Sequence, residues 1–575
     1  MLNVPELRLS VFRYFWTSEL YSLRLVCRSW YPEADQALWE SIERLPTVLR
    51  FLPEDAWEQD YDISTFGSGD KLTIHKSPTT LRILRPLTTE DWLPVVGRAR
   101  CLKNFRLTRF LNECTNETLE AVIACPPPRV PLFPGARTAQ LHRPYHAGQE
   151  TFVYHRLLPI LLPSRGISKL NCAVYEKDVP DAHAFLSHFA SLESLDMVLC
   201  SGEYAYRHSR VINTWPYFVY DPSHDPAKRY DIRFIAALRI CPILREIHIS
   251  FDPRITAHIL EALAQLPALQ SLRLHFGNHP NPSESVESSL DSPSYSFPAF
   301  PALRSLTVDG LPPTAVAQLL STSTPTPLHD VRIDCPYGHG YLDPSHMTKA
   351  QLTALIELVT SQLVPYSSLR TLHIVGHGYE RYTLTLEDLL PLSGFPELRD
   401  LSIGINSTNF SLEDRDCERM AGWWPHIKTL LLGPEICGAE EVEKVSLQAL
   451  LHMAAQCPDL THLRLPLDAN VVPELEPAPG PYPKLFMLHG GDAPIDDAVC
   501  VGGFLKATFP ALRDLWYDAF QYDEEADRRE AAWDVVYEML TGKKRDYGPD
   551  FSQIYEKKLA TSTASKQDGD APERW

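Results

Sequence analysis

No stretch of this chain stays apolar for the roughly 18 residues that a bilayer-spanning helix needs. Its first residues, Met1 to Glu6, lack the basic start and apolar centre of a secretory signal. A membrane partner is not expected, and a cytoplasmic or nuclear location is. Cysteine is present but unorganised: 12 thiols show no C-x-x-C pair and no histidine-rich partner spacing, so the usual structural zinc modules are excluded. Cys241 and Cys457 fall at apolar positions, where a reduced thiol behaves as a small hydrophobe. The sequons at Asn116, Asn406 and Asn409 matter only in a secreted chain.

Positive charge is also in short supply. Lys and Arg number 54 against 73 Asp and Glu, a net charge of −19, and no long basic stripe offsets it. Phosphate backbones and anionic lipid are repelled, so nucleic acid is not an expected partner, and the balance leans weakly toward basic targets. Catalytic spacings are missing as well: there is no H-E-x-x-H, no G-x-S-x-G, and no G-x-G-x-x-G between a strand and a helix. Thr541-Gly542-Lys543-Lys544 mimics the end of a phosphate loop, but Tyr537 stands at the first glycine's place and no Ser or Thr follows. The chain reads as a non-catalytic protein, with no catalytic residue, metal or cofactor.

What is present is a globular composition, 44% apolar and 10% aromatic, over 575 residues. That length holds about four domains' worth of chain or one long repeat array. Near the start, Leu7, Val11, Phe12 and Phe15 follow Pro5 at helical spacing. Leu23, Val26, Cys27 and Trp30 follow the capping Ser18, and Ala34, Leu38 and Ile42 mark a third amphipathic segment carrying Trp39.

The order Val4-Pro5-Glu6-Leu7, Val11-Phe12, Leu23-Arg24-Leu25-Val26-Cys27-Arg28-Ser29-Trp30 and Leu38-Trp39 resembles an F-box, with Pro5 directly abutting Glu6 where the family usually has one residue between them. The resemblance implies a three-helix module over residues 1–45 that docks on the Skp-type adaptor of SCF ubiquitin ligases, and through it on cullin. Carried over from the family, the adaptor-binding residues are Pro5, Leu7, Val11, Phe12, Leu23, Val26, Cys27, Trp30, Leu38 and Trp39. A bundle of about forty-five residues buries too little surface to be stable alone, which fits a partner-covered face.

After a transition at 46–68, one pattern returns across 69–520: an apolar residue, two positions, a second, one position, a third. Examples are Leu102-Phe105-Leu107, Ile167-Leu170-Cys172, Leu192-Leu195-Met197, Leu328-Val331-Ile333 and Leu369-Leu372-Ile374. A stricter form places proline two residues earlier, at Pro242, Pro267, Pro301, Pro396, Pro425, Pro458, Pro483 and Pro510. Helical stretches precede several of these, as at Ile255 to Leu266, Glu443 to Cys457 and Ala498 to Thr508, giving a unit of helix, proline stop and short strand.

Leu244 to Leu269, Leu398 to Ile427, Ile427 to Leu460 and Leu485 to Leu512 are intervals of 25, 29, 33 and 27 residues. These periods resemble leucine-rich repeats. A doubly wound α/β sheet is the competing architecture, although its strands read as continuous apolar runs. The expected fold class is α/β: a small three-helix F-box-like module followed by an irregular leucine-rich-repeat solenoid.

Insertions are read at 125–150 (proline-rich), 201–232 (aromatic-rich) and 277–299 (Ser/Pro/Asn-rich). The aromatic group from Tyr204 to Tyr220 reads as a loop folded onto the array or as a partner anchor. The tetrads Gly338-His339-Gly340-Tyr341 and Gly376-His377-Gly378-Tyr379 read as glycine-assisted turns. Trp533, Val536, Tyr537 and Leu540 form the apolar face of a capping helix within 521–556, ended by Gly542, and 557–575 is a tail too polar to fold. The function expected from the resemblance is a substrate receptor that binds the adaptor at one end and an unknown protein target along the array. The alternative is a binding scaffold with no ubiquitinated client.

Overall fold

Each apolar triplet is a strand entry followed by a strand. The computed structural model describes residues 4–544 except 16, 43, 67–72, 108–113, 142–153, 176–181, 201–229, 252–256, 277–299, 312, 314–315, 318–319, 321–327, 336–346, 364–367, 377–381, 406–407, 434–443, 474–480, 492 and 518–523. The aromatic group at 204–220, the histidines of both glycine tetrads, the 277–299 segment and the 557–575 tail lie outside the described residues. The chain is mixed α/β with a large, mostly parallel sheet, and it divides into two compact units, Met1–Glu380 and Arg381–Trp575.

In the first unit, ten described strands lie side by side in chain order, all parallel: Ser41–Ile42, Asn104–Leu107, Thr138–Leu141, Lys169–Tyr175, Ser194–Cys200, Glu246–Phe251, Ser271–Phe276, Ser305–Asp309, Asp330–Asp334 and Thr371–Gly376. Helices precede most of them, including Asn116–Ala124, Ala257–Ala264 and Lys349–Leu363. One antiparallel pair, Trp57–Phe66 with Thr73–Ile83, stands apart from the sheet. The second unit repeats the plan with parallel strands Asp400–Ile405, Thr429–Leu432, His462–Arg464, Met487–Gly491 and Asp514–Tyr517.

The register makes the core. Leu170, Leu195, Ile247, Leu272, Leu306, Val331 and Leu372 pair in sequence, and two residues on so do Cys172, Met197, Ile249, Leu274, Val308, Ile333 and Ile374. All are buried, as are the first triplet residues Leu192, Leu244, Leu269, Leu303, Leu328 and Leu369. Strand side chains alternate between faces, so the intervening residues stand together on the opposite face. There Asn171 donates to Asp196 at 2.6 Å, His248 Nδ1 meets the same carboxylate at 2.8 Å, and His275 Nδ1 meets Asp309 at 2.6 Å, tying neighbouring strands.

Proline ends the helices by acting on the residue before it. That residue is sterically barred from the helical region, and Cys241, Phe395, Trp424, Cys457 and Phe509 have φ of −103°, −114°, −126°, −114° and −124° with ψ between 67° and 77°. All five are buried and apolar, a position that the sequence pattern did not include. Their polar atoms tie each helix end to the preceding repeat: the Cys457 thiol donates to the Trp424 carbonyl at 3.5 Å, Cys241 to Phe189 at 3.5 Å, and Trp424 Nε1 to Leu392 at 3.1 Å. Burial pushes the Cys241 thiol up to about 11 and that of Cys457 up to about 12, so both are unreactive structural groups.

Strand entry has its own repeating bond. The carbonyl of Lys103 accepts the amides of both Arg137 and Thr138, Arg245 those of Gln270 and Ser271, and Arg304 those of His329 and Asp330. One oxygen with two lone pairs serves two donors at each step.

Several boundaries differ from the sequence reading. The third helix ends at Trp39, and Ile42 belongs to the first strand rather than to that helix. Trp39-x-x-Ile42 is thus the first turn of the repeating pattern, well before residue 69. The 46–68 transition holds most of helix Leu45–Leu49, a short 3-10 turn and the whole of strand Trp57–Phe66. The 125–150 insertion contains the sheet strand Thr138–Leu141. The second helix starts at Thr17, before Ser18. In the second unit, helix Ala498–Thr508 has the bounds read from sequence, and helix Glu524–Thr541 buries Trp533 and Val536 before Gly542, whose φ is +70°.

Truncating a paired core residue such as Leu372 to alanine leaves a cavity that neighbouring strands cannot close and costs about 2–5 kcal/mol. Arg332→Ala, on the outward face of the adjoining strand, changes stability by about 0.5 kcal/mol or less. Denaturant melts of the two variants measure the contrast.

Candidate docking surface

Helices α1 (Pro5–Phe12), α2 (Thr17–Val26) and α3 (Tyr31–Trp39) carry all the carried-over positions but Cys27 and Trp30, which lie between α2 and α3. Pro5 takes the first position of α1, where a missing N–H costs nothing. A small core forms from Phe12, Leu20, Ala34 and Ala37, with Leu9, Leu23, Trp30 and Leu38 packed half-buried against it. The Phe12 and Trp30 rings lie 5.7 Å apart, centroid to centroid.

The ten predicted docking residues therefore separate into three groups. Phe12 and Trp39 are buried, at 2% and 4% exposure, and offer nothing to a partner. Phe12 is the centre of the helical core, and Trp39 packs on Phe51 at 4.9 Å as the first apolar residue of the sheet pattern. Leu23, Trp30 and Leu38 are half-buried. Pro5, Leu7, Val11, Val26 and Cys27 are exposed, and Leu25 beside them is 87% exposed and Val26 61%.

This concentration is unusual in the chain. Of twenty large apolar side chains that stay exposed among the described residues, nine lie between Val4 and Tyr31. Each could gain about 1.5–3 kcal/mol on burial, so the helices carry a large unrealised driving force for association.

Ion pairs hold these helices without covering that face. Arg8 donates to Glu33 at 2.7 Å across the buried side of α1 and α3. Arg24 reaches Asp35 at 3.0 Å and lies over the Tyr31 ring. Arg13 grips Glu40 with two bonds, 2.6 and 2.7 Å, and Lys103 of the sheet edge adds a third at 2.5 Å. Glu40 thus joins α1 to the strand layer, while its carbonyl accepts the amides of Lys103 and Asn104.

Burial opposes ionisation of both carboxyls. For Glu40 the hydrogen bonds and charges of Arg13 and Lys103 outweigh it, and for Glu33 the Arg8 bond, its own backbone amide and the Arg8 charge do so; both carboxyls sit below the usual range. The exposed Cys27 thiol is lowered, chiefly by its 3.1 Å contact with the Ser29 hydroxyl.

Among the described residues no helix is long and apolar enough to cross a membrane, and no group of three or more His, Cys, Asp or Glu could hold a metal ion. No family model matches the chain, and no curated protein matches its sequence. Sequence reasoning missed Glu40 and placed Ile42 on the third helix rather than on the first strand. Their signal was the apolar-x-x-apolar spacing of Trp39 and Ile42, masked by an equally good helical spacing from Ala34 and Leu38.

Because Glu33 and Glu40 have folded values below their unfolded ones, their contribution is full above the ordinary carboxylate range and is lost as pH falls through the depressed values. Tryptophan fluorescence during acid titration is expected to show α1–α3 loosening below that range, and Glu40→Gln is expected to flatten the dependence.

Proposed function

We propose that this chain is the target-recognition subunit of an SCF-type ubiquitin ligase. An F-box-like helical end docks on the Skp-type adaptor, and a leucine-rich-repeat-like array of parallel strands holds a protein target. The observation that carries the reading is the division of labour within the motif: Phe12 and Trp39 hold the fold, while Leu7, Val11, Val26 and Cys27, at motif positions on neighbouring helices, remain exposed. A self-sufficient bundle has no reason to leave those side chains in water. The chain itself performs no bond chemistry in this reading. It raises the effective concentration of a target near ubiquitin-transferring subunits recruited through the adaptor.

Tagged full-length protein is expected to capture the adaptor and cullin from cells. Leu7→Asp with Val26→Asp places charge on the exposed face without touching the core, and is expected to weaken capture by tenfold or more, as for residues that anchor an interface by about 2 kcal/mol or more, with an unchanged circular dichroism spectrum. Capture that persists in this variant removes the docking assignment. Comparing protein abundance between cells with intact and docking-dead chain separates a receptor, whose client accumulates, from a scaffold, which has none.

A further inference from the structure

The sequence shows no basic stripe, but the sheet register assembles one. At strand entry each residue whose carbonyl accepts two amides donates its own amide to the corresponding carbonyl one strand earlier. In the first unit this row begins with Glu40, Lys103, Arg137 and Ser168 and continues through Glu193, Arg245, Gln270, Arg304 and His329 to Arg370, linked by bonds of 2.7–2.9 Å. Parallel strands are spaced about 4.8 Å apart, so Arg245, Arg304 and Arg370 recur about every 10 Å along one edge. All three are exposed and form no ion pair among the described residues.

The row beside them, at the residue before each first apolar position, is uncharged where described: Ile243, Ala268, Ala302 and Ser368, with Ile243 43% exposed. On the other side stand Ser271, Ser305 and Thr371 with two carboxylates, Glu246 and Asp330, neither of which pairs with the arginines.

We propose that this edge binds an extended acidic peptide, its carboxylates meeting Arg245, Arg304 and Arg370 and its intervening side chains lying on the Ile243–Ala302 shelf. A peptide in the polyproline II conformation turns once every three residues and advances about 3.1 Å per residue, so every third side chain falls on one side at close to the arginine spacing. Guanidinium forks suit carboxylates, and although Glu193, Glu246 and Asp330 lie near, Arg245, Arg304 and Arg370 have no ion pair among the described residues and stay open to the carboxylates of a ligand. Calling the ligand a target rests on the receptor reading above, whereas the binding itself does not.

Fluorescence anisotropy of the full chain tests the inference directly. The probe is a labelled peptide with glutamate at every third position and serine between. The comparisons are its isomer with contiguous glutamates, a lysine counterpart and a labelled oligothymidylate. Binding of the spaced peptide is expected, weakening with salt. Affinity is expected to fall about tenfold when Arg245, Arg304 and Arg370 are all changed to alanine, three exposed pairs at about 0.2–1 kcal/mol each. The triple lysine variant is expected to keep most of the affinity and supports the comparison if the alanine variant melts early.

Equal affinity for both isomers, unchanged affinity in the alanine variant, or tighter binding of the oligothymidylate would each overturn the proposal. None of these readings depends on adaptor capture, so failure here and failure of the docking assignment are separable.

Discussion

In-register parallel pairing of like positions is the constraint from which the rest of the structure follows. A parallel ladder with no offset puts the second apolar residue of every triplet beside its counterpart, and does the same for every other position. The buried row from Leu170 to Leu372 is the energetic result, since each side chain loses its water to a branched apolar neighbour in the adjoining strand. The same rule acts on residues that contribute nothing to burial. Asp196 meets His248 and Asn171 because they share a row, and Arg245, Arg304 and Arg370 align for the same reason. A surface written in this way is set by the spacing of the core, not by local sequence.

Much of the strand pattern was legible because the triplet is short and its third position tolerates little but an apolar side chain. The proline stops were legible too, since the ring acts through sterics that no tertiary contact relieves. Two things escaped. The residue before the proline varies among Cys, Phe, Trp, Leu and Tyr and is buried in most repeats, so its shared role is visible only once the helix end is seen packing on the previous one. Ile42 fits a helix by spacing, and the choice between helix and strand was made by the pairing of Ser41 and Ile42 with Asn104 and Phe105, more than sixty residues away. Local periodicity carries no information about a partner strand at that distance.

Of the candidate docking surface, the sequence named residues but left the orientation of each open. A helix of eight residues such as α1 cannot bury all of Leu7, Leu9, Val11 and Phe12, and which of them turns inward depends on where α3 lies. The Arg8–Glu33 pair and the Phe12 contact with Ala34 and Ala37 set that choice, leaving Leu7 and Val11 outside. A buried pair of this kind contributes modestly to net stability but makes alternative packings costly, because any other rotation of α1 strands a charge.

Attachment of α1–α3 to the sheet bears on the receptor reading. With α3 running into the first strand through the single residue Glu40, and Glu40 held by Arg13 on one side and Lys103 on the other, the helices have no linker in which to swing. The helical face and the arginine edge lie in one compact unit, so under the two proposals a partner on the first and a peptide on the second would stand at a defined separation. A flexible tether would spread the effective concentration of a bound segment over the volume that the tether explores, whereas a stiff connection concentrates it along one direction. In the proposed receptor reading, that geometric restriction is what the chain contributes to a transfer reaction carried out by other subunits.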